Sequence, residues 1–158
     1  MALVKGTNSY ATVEEADLYF ADRLDVAAWT DASPTQKAQA LVTATSVLDE
    51  QTWTGTAITE TQKLAFPRAG GYSDPKYGAY ITFDAYPPQR VLTATYELAY
   101  HLLNNDGLLD DTGDLENLSV GSINLSNLKR PNMIPGYVRK LINPVLLSGG
   151  SSSWWRAN

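Results

Sequence analysis

The strongest constraint in the sequence is a stripe of residues at helical spacing between Pro88 and Gly107. Its members recur every three or four positions and are Val91, Leu92, Thr95, Leu98, Ala99, Leu102 and Leu103. Residues at this spacing share one face of an α-helix, and a face this apolar has to be buried. Asn104-Asn105-Asp106-Gly107 then supplies residues that tolerate the left-handed conformations found at helix ends. The pattern predicts a central helix around which the rest of the chain packs.

Two helix starts precede this stripe. The Thr12-x-x-Glu15 pattern is a capping box and predicts a helix over about 13–23. The Ser33–Pro34 pair predicts a second helix to about residue 50, because proline at the first helical position loses no hydrogen bond. Both helices carry apolar residues on one face, so they can pack against the central helix.

Between Thr52 and Pro88 the periodicity fades, and glycine and proline interrupt the chain repeatedly. A short helix over about 59–64 is the one regular element predicted there. Aromatic side chains are frequent in the same stretch, which favours an ordered loop pinned over the helices. These aromatic residues are Tyr72, Tyr77, Tyr80, Phe83 and Tyr86.

After the central helix, residues 118–125 alternate between apolar and polar side chains with one slip at Gly121. That alternation predicts a strand with a bulge, or a small hairpin. Pro135 begins a further short helix. The fold class is therefore predicted to be mainly α: a small helical bundle with a short β-strand or hairpin at about 118–128 and an extended C-terminal arm. The body would cover residues 1–128, and the arm would cover residues 129–158.

Charge divides the chain at the same boundary. Residues 1–128 hold all 17 acidic side chains and seven of the 12 basic ones, a net charge of −10. Residues 129–158 hold five basic side chains and no acidic one, so the total of −5 conceals a basic arm of +5. This separation predicts that the arm and the body face different partners.

The residue types that usually support catalysis are scarce. No cysteine is present, and His101 is the single histidine, with no nucleophile and orienting partner in view. The aspartates between 106 and 114 do not match the ligand spacing of a calcium-binding loop. No phosphate-binding loop with its lysine occurs either. We therefore expect a protein that is not an enzyme and uses no metal or cofactor.

No segment of the sequence resembles a signal peptide or a membrane span. A span needs roughly 18–20 consecutive apolar residues, and no stretch approaches that length. We therefore expect a protein made in the cytoplasm, without a membrane partner.

The C-terminus ends in Trp154-Trp155-Arg156 after a Gly/Ser-rich linker over 148–153. Exposed apolar groups invite association, and Trp and Arg are enriched at interface hot spots, so the tip favours docking on a partner. A tail that folds back onto its own core remains an alternative. Stacking on unpaired bases is another, because it uses the same residue types together with a basic groove.

Several stretches occur in an order that resembles a known family. They are SYATVEEADLYFADR at 9–23, the tryptophan at 29, QKAQAL at 36–41, ATSVLD at 44–49 and QKLAFPR at 62–68. In this order they resemble the head–tail connector, or adaptor, proteins of tailed bacteriophages. The same group is also labelled DnaT-like single-stranded DNA-binding protein. The similarity covers about the first 105 residues.

The resemblance implies a structural virion protein of the head–tail neck, made in the host cytoplasm. Its subunits would form a twelvefold ring under the portal protein and extend the DNA channel. They would also bind the next neck or tail-terminator protein. Double-stranded DNA would pass through the ring without specific binding.

The resemblance also implies roles for three groups of residues. The portal-docking group is Lys129, Arg130, Arg139, Lys140, Trp154, Trp155 and Arg156. The subunit-contact group consists of the aromatic residues Tyr72, Tyr77, Tyr80, Phe83 and Tyr86. The channel-facing acidic group is Asp106, Asp110, Asp111, Asp114 and Glu116.

The alternative function is that of a single-stranded DNA-binding protein that assists replication. The aromatic residues and the basic tail motivate it. It predicts binding to oligonucleotides that weakens as salt rises.

Overall fold

The computed structural model describes residues 2–84, 86–105, 117–120, 123–126 and 134–147 of the chain. The helices there are α1 Val13–Ala21, α2 Ala27–Thr30, α3 Pro34–Asp49, α4 Gln89–Asn104 and α5 Gly136–Ile142, followed by a 3-10 turn at Asn143–Val145. The strands are β1 Thr56–Ala57, β2 Arg68–Ala69, β3 Gly71–Asp74, β4 Ala79–Thr82, β5 Asn117–Val120 and β6 Ile123–Ser126. The strands pair as antiparallel neighbours: β1 with β2, β3 with β4, and β5 with β6.

The fold is mixed α and β, which corrects the prediction of a mainly α bundle. The difference lies between residues 52 and 88, where the predicted loop contains two antiparallel hairpins, β1–β2 and β3–β4. Strands of two to four residues are too short to show a clear alternation of apolar and polar side chains, so glycine and proline dominate the pattern. The predicted hairpin near 118–128 is confirmed, with Leu118 opposite Leu125.

The short helix predicted over 59–64 is wrong. The side chain of Gln62 instead holds an irregular turn, because its Oε1 accepts hydrogen bonds from the amides of Ile58 and Thr59. Its Nε2 donates to the carbonyls of Leu64 and Ala65 at 2.7 and 3.0 Å. A single amide side chain thus satisfies backbone groups that a helix would have paired internally.

The two predicted helix starts are confirmed. The amide of Glu15 donates to Oγ1 of Thr12 at 3.3 Å, and the amide of Thr12 donates to Oε2 of Glu15 at 2.9 Å. Ser33 and Gln36 form the same reciprocal pair at the start of α3. These side chains satisfy amides that have no partner inside the helix, which fixes where α1 and α3 begin.

Helix α4 is the central helix, as predicted. It packs against α2, α3 and α5. Eight of its 16 residues are buried, and Val91, Ala94, Leu98 and Ala99 are fully buried. Helix α5 adds Val138 and Ile142 to the same core, so part of the predicted arm packs onto the body.

Glu97 joins three helices, through its buried carboxylate and its backbone carbonyl. Glu97 of α4 is 8% exposed, and the hydroxyl of Tyr19 on α1 donates to its Oε1 at 2.6 Å. Arg23 forms an ion pair with the same oxygen. Burial, together with the hydrogen bond to Glu97, raises the pKa of Tyr19 to about 12. The hydroxyl of Tyr137 on α5 donates to the backbone carbonyl of Glu97 at 3.4 Å, which links α5 to the same point.

A second carboxylate joins the end of α3 to the segment before β2. Oδ1 of Asp49 accepts a hydrogen bond from the hydroxyl of Tyr10 and another from the amide of Ala65, the latter at 2.7 Å. Burial raises the pKa of the Tyr10 hydroxyl well above its usual range. The ring of Tyr10 also meets that of Phe66 edge-on at 6.0 Å. The 64–67 segment is therefore held firmly against the helices.

No helix in the described part of the chain is long and apolar enough to cross a membrane.

The burial of α4 predicts a large difference between two leucine substitutions. Leu98→Ala should lower the free energy of unfolding by about 2–5 kcal/mol, because Leu98 is fully buried and its removal leaves a cavity. Leu18→Ala is the matched control: Leu18 is 76% exposed, so the change should stay within about 0.5 kcal/mol. Urea denaturation followed by circular dichroism measures both values. Equal losses would contradict the central position of α4.

Candidate functional site

The structure divides the predicted subunit-contact aromatics into two groups. Tyr72 and Phe83 stack at 5.8 Å with an interplanar angle of 23°, and Tyr72 is buried. Tyr77, Tyr80 and Tyr86 are exposed by 64%, 65% and 69%. The first pair therefore belongs to the core, and the other three tyrosines are available to a ligand.

Alternation along the β3–β4 hairpin places Tyr72 and Tyr80 on opposite faces. Tyr72 lies opposite Ile81, and both side chains lie on the face that packs toward the helices. Tyr80 lies opposite Ser73 on the other face, where both residues are exposed. Tyr77 lies in the turn that connects the two strands. The hairpin thus has an inner face that packs and an outer face that carries Tyr80.

Gly71 is required where the hairpin passes under Tyr80. A Cβ atom at this position would collide with the carbonyl oxygen of Ile81 and lie 2.9 Å from Cε1 of Tyr80. The ring of Tyr80 therefore covers the glycine. Its orientation depends on the absence of a side chain below it.

Asp74 anchors the hairpin to α4. Arg90 grips both carboxylate oxygens, with Nε at 2.7 Å from Oδ2 and Nη2 at 2.6 Å from Oδ1. The hydroxyl of Tyr72 and the amide of Lys76 donate to the same carboxylate at 3.1 and 2.8 Å. The hydrogen bonds from Arg90 are the main reason that the pKa of Asp74 lies well below its usual range. A two-pronged Arg–carboxylate pair of this kind fixes orientation as well as distance.

A groove of about 430 Å³ lies between the inner face of the hairpin, residues 82–84 and 86–88, and the start of α4. Tyr77 and Tyr86 line it together with Lys76 and Arg90. Nζ of Lys76 lies 5.1 Å from the centre of the Tyr77 ring. The groove therefore combines exposed aromatic rings with basic side chains.

A second pocket of about 300 Å³ shares a wall with the groove. Tyr86 and Pro87 line both cavities. Nζ of Lys5 lies 5.9 Å from the centre of the Tyr86 ring, so this pocket too has a basic side chain beside an aromatic one. The residues that line the second pocket are Lys5, Gly6, Tyr10, Phe66, Pro67, Tyr86 and Pro87.

The other predicted site residues that the structure describes lie away from the groove and the second pocket. Arg139 and Lys140 lie on α5, half-buried and exposed respectively, and neither lines the groove or the second pocket. His101 is half-buried near the end of α4, next to Asn105. The remaining members of the portal-docking group and the whole channel-facing group lie outside the described residues. Among the residues that the structure describes, no cluster of three or more His, Asp or Glu side chains could hold a metal ion.

Sequence reasoning missed the polar residues of the site, which are Lys5, Asp74, Lys76 and Arg90. The relevant signal was the Asp74-Pro75 turn followed by Gly78, flanked by Tyr72 and Tyr80. Turn residues between short aromatic runs are typical of a hairpin. The contact between Asp74 and Arg90 spans 16 positions and leaves no periodic pattern in the sequence.

One comparison with known proteins finds a match. Residues 2–157 match the model of a family described as "Putative DnaT-like ssDNA binding protein". The chain belongs to this family. No curated protein and no solved structure matches it at a significant level.

Membership of the DnaT-like family corrects the predicted function. The head–tail adaptor role is wrong: the family is described by single-stranded DNA binding, which was the alternative. The motifs behind the adaptor resemblance are mainly residues of helices and core, such as Phe20, Leu41 and Leu48. Such residues determine a fold and carry little information about a partner. The partners and the virion location that were predicted together with the adaptor role stay predictions.

The Asp74–Arg90 pair predicts a pH-dependent contribution to stability. Asp74→Asn should lower the Tm near neutral pH. The difference in Tm between the variant and the unchanged protein should become smaller in acid. A carboxylate with a lowered pKa stabilises the fold above the pKa of an unfolded aspartate, about 3.9, and loses that effect as the pH falls through its folded pKa. Thermal unfolding monitored by circular dichroism from about pH 7 to about pH 2 measures this difference.

Asp84→Asn is the control for this measurement. Asp84 is an exposed carboxylate that lines the same groove, so its replacement should change the free energy of unfolding by no more than about 0.5 kcal/mol. If the Tm of Asp74→Asn differs from that of the unchanged protein by the same amount down to the lowest pH, the result contradicts the role assigned to the Asp74–Arg90 pair.

Proposed function

We propose that this protein binds single-stranded DNA in the groove beside the β3–β4 hairpin and assists replication without catalysing a reaction. One observation carries the proposal. Tyr77 and Tyr86 are exposed around the same groove, and a lysine lies against each ring. The description of the family supports the same ligand.

Exposed aromatic rings in a groove suit unpaired bases. A base stacks on an aromatic side chain through its flat face, and each such contact is worth about 1–3 kcal/mol. Stacking tolerates any sequence, because every base has that face. Tyr77 and Tyr86 are the two exposed tyrosines that line the groove, so they are the proposed stacking platforms.

The same geometry disfavours double-stranded DNA as the ligand. In a duplex the faces of the bases are occupied by their neighbours, and only the base edges can be reached from the grooves. The exposed rings of Tyr77 and Tyr86 could not stack on a base that is already stacked on both sides. The groove therefore selects for unpaired nucleotides by the type of contact that it offers.

Two lysines provide the contacts to phosphate. Lys76 and Lys5 extend beside Tyr77 and Tyr86 respectively, so a phosphate next to a stacked base lies within reach of an ammonium group. Arg90 also lines the groove, but Asp74 holds its guanidinium and balances its charge. Because residues 1–128 are acidic overall, we propose that stacking contributes more than phosphate contacts to binding at this site.

The stacking role predicts a loss of affinity when a ring is removed. Tyr77→Ala should weaken binding of an oligothymidylate of about 20 nucleotides by at least about fivefold, the equivalent of about 1 kcal/mol. Tyr80→Ala is the control, because Tyr80 is 65% exposed and lines neither the groove nor the second pocket. Fluorescence anisotropy at low salt measures both affinities. The proposal fails if the unchanged protein does not bind, or if both variants bind equally well.

The phosphate contacts predict a change in salt dependence. Lys76→Ala should reduce the steepness of log K against log salt by about 0.7, the value for one phosphate contact on a single strand. Lys37→Ala is the matched control. Lys37 also lies over an aromatic ring, that of Trp29 at 5.3 Å, and lines neither cavity. Its replacement removes the same charge and should leave the slope unchanged, whereas equal changes in both variants would indicate a general charge effect.

A further inference from the structure

The most informative unassigned feature is the side chain shared by the two cavities. Tyr86 is 69% exposed and forms part of the wall of both the groove and the second pocket. Tyr86 therefore borders both cavities, and a ligand that fills both of them contacts this residue.

The second pocket is suited to a flat, apolar group. Tyr10 and Phe66 line it and are 1% and 3% exposed, and Pro67 completes that side. The hydroxyl of Tyr10 is fixed by its hydrogen bond to Asp49, so this wall is set before any ligand arrives. A preformed wall reduces the entropy cost of binding.

The pocket also has a cation at the side that it shares with Tyr86. Lys5 lines the pocket, lies against the Tyr86 ring and pairs with Glu15. Both partners of that pair are partly exposed, so a phosphate can replace the carboxylate at small cost. Lys76 supplies the corresponding charge on the groove side. Each cavity therefore offers an aromatic surface with one cation nearby, which is the pair of contacts that one nucleotide requires.

We propose that Tyr86 separates two consecutive unpaired nucleotides, with one base in the second pocket and the next base in the groove. This inference rests on the proposed function and narrows its ligand to a strand of at least two adjacent unpaired nucleotides. The ring of Tyr86 contacts both bases. Lys5 and Lys76 bind the phosphates on the two sides.

The spacing of bases explains why the ligand has to be single-stranded. Stacked neighbours along one strand lie about 3.4 Å apart, and a ring inserted between them roughly doubles that distance. The flexible backbone of a single strand can extend by this amount. A duplex resists the same change, because both strands would have to unstack at that step.

The proposal is tested by how affinity grows with the length of the ligand. Unlabelled thymidine monophosphate, dithymidylate and tetrathymidylate compete with a labelled oligothymidylate of about 20 nucleotides for the full chain. For the unchanged protein, the dinucleotide should bind at least about fivefold more tightly than the mononucleotide, since it fills a second stacking site. For Tyr86→Ala, that gain should fall below about twofold, because the shared ring is lost.

Tyr80→Ala is the matched control for this experiment. Tyr80 is 65% exposed on the outer face of the same region and lines neither cavity, so its removal should preserve the gain from mononucleotide to dinucleotide. Circular dichroism of both variants establishes that they are folded.

The outcomes separate this inference from the function on which it rests. A gain that is lost in Tyr86→Ala and kept in Tyr80→Ala supports the two-nucleotide arrangement. If the long oligonucleotide binds but the unchanged protein shows no gain, or Tyr86→Ala keeps it, the arrangement is overturned and DNA binding stands. If no oligonucleotide binds, both proposals are overturned.

Discussion

The bidentate ion pair between Arg90 and Asp74 is the interaction on which the candidate site depends. It ties a hairpin of short strands to the start of the buried central helix, at two charged hydrogen bonds of 2.7 and 2.6 Å. A two-stranded hairpin alone is only marginally stable in water, so its geometry has to come from such an attachment. The same carboxylate holds the amide of Lys76, which leads directly into the turn with Tyr77. One buried charge therefore positions the groove wall, and this explains why an acidic residue lies at the centre of a proposed DNA site.

The balance of forces in this site differs from that of a strongly basic DNA-binding protein. Each of the two lysines beside the exposed rings has an acidic residue as a partner or neighbour, and the chain as a whole carries −5. We therefore expect long-range electrostatic attraction to DNA to be weak, and under the proposed function the aromatic contacts supply most of the affinity. Under the proposed function, binding of this kind favours any exposed single strand over particular sequences.

The sequence predicted the parts of the structure that have a local or periodic signal. The capping box of α1, the Ser33–Pro34 start of α3 and the apolar stripe of α4 are each local to one helix, and all were confirmed. The hairpins between 52 and 88 were missed, because their strands are very short and their stability comes from distant partners. The exposed tyrosines were identified as contact residues, but alternation alone could not separate them from Tyr72 and Phe83 in the core. The function was misassigned, since the motifs that suggested it are largely core residues.

The double hydrogen bond at Asp49 has a consequence for how the second pocket can be observed. The amide of Ala65 donates to the same oxygen as Tyr10, which forms part of the pocket wall. Hydrogen exchange at this amide requires that bond to break, so its rate reports how often the wall separates from the helices. The exchange rate of a single backbone amide, next to Phe66 in the pocket wall, thus measures how often this wall opens.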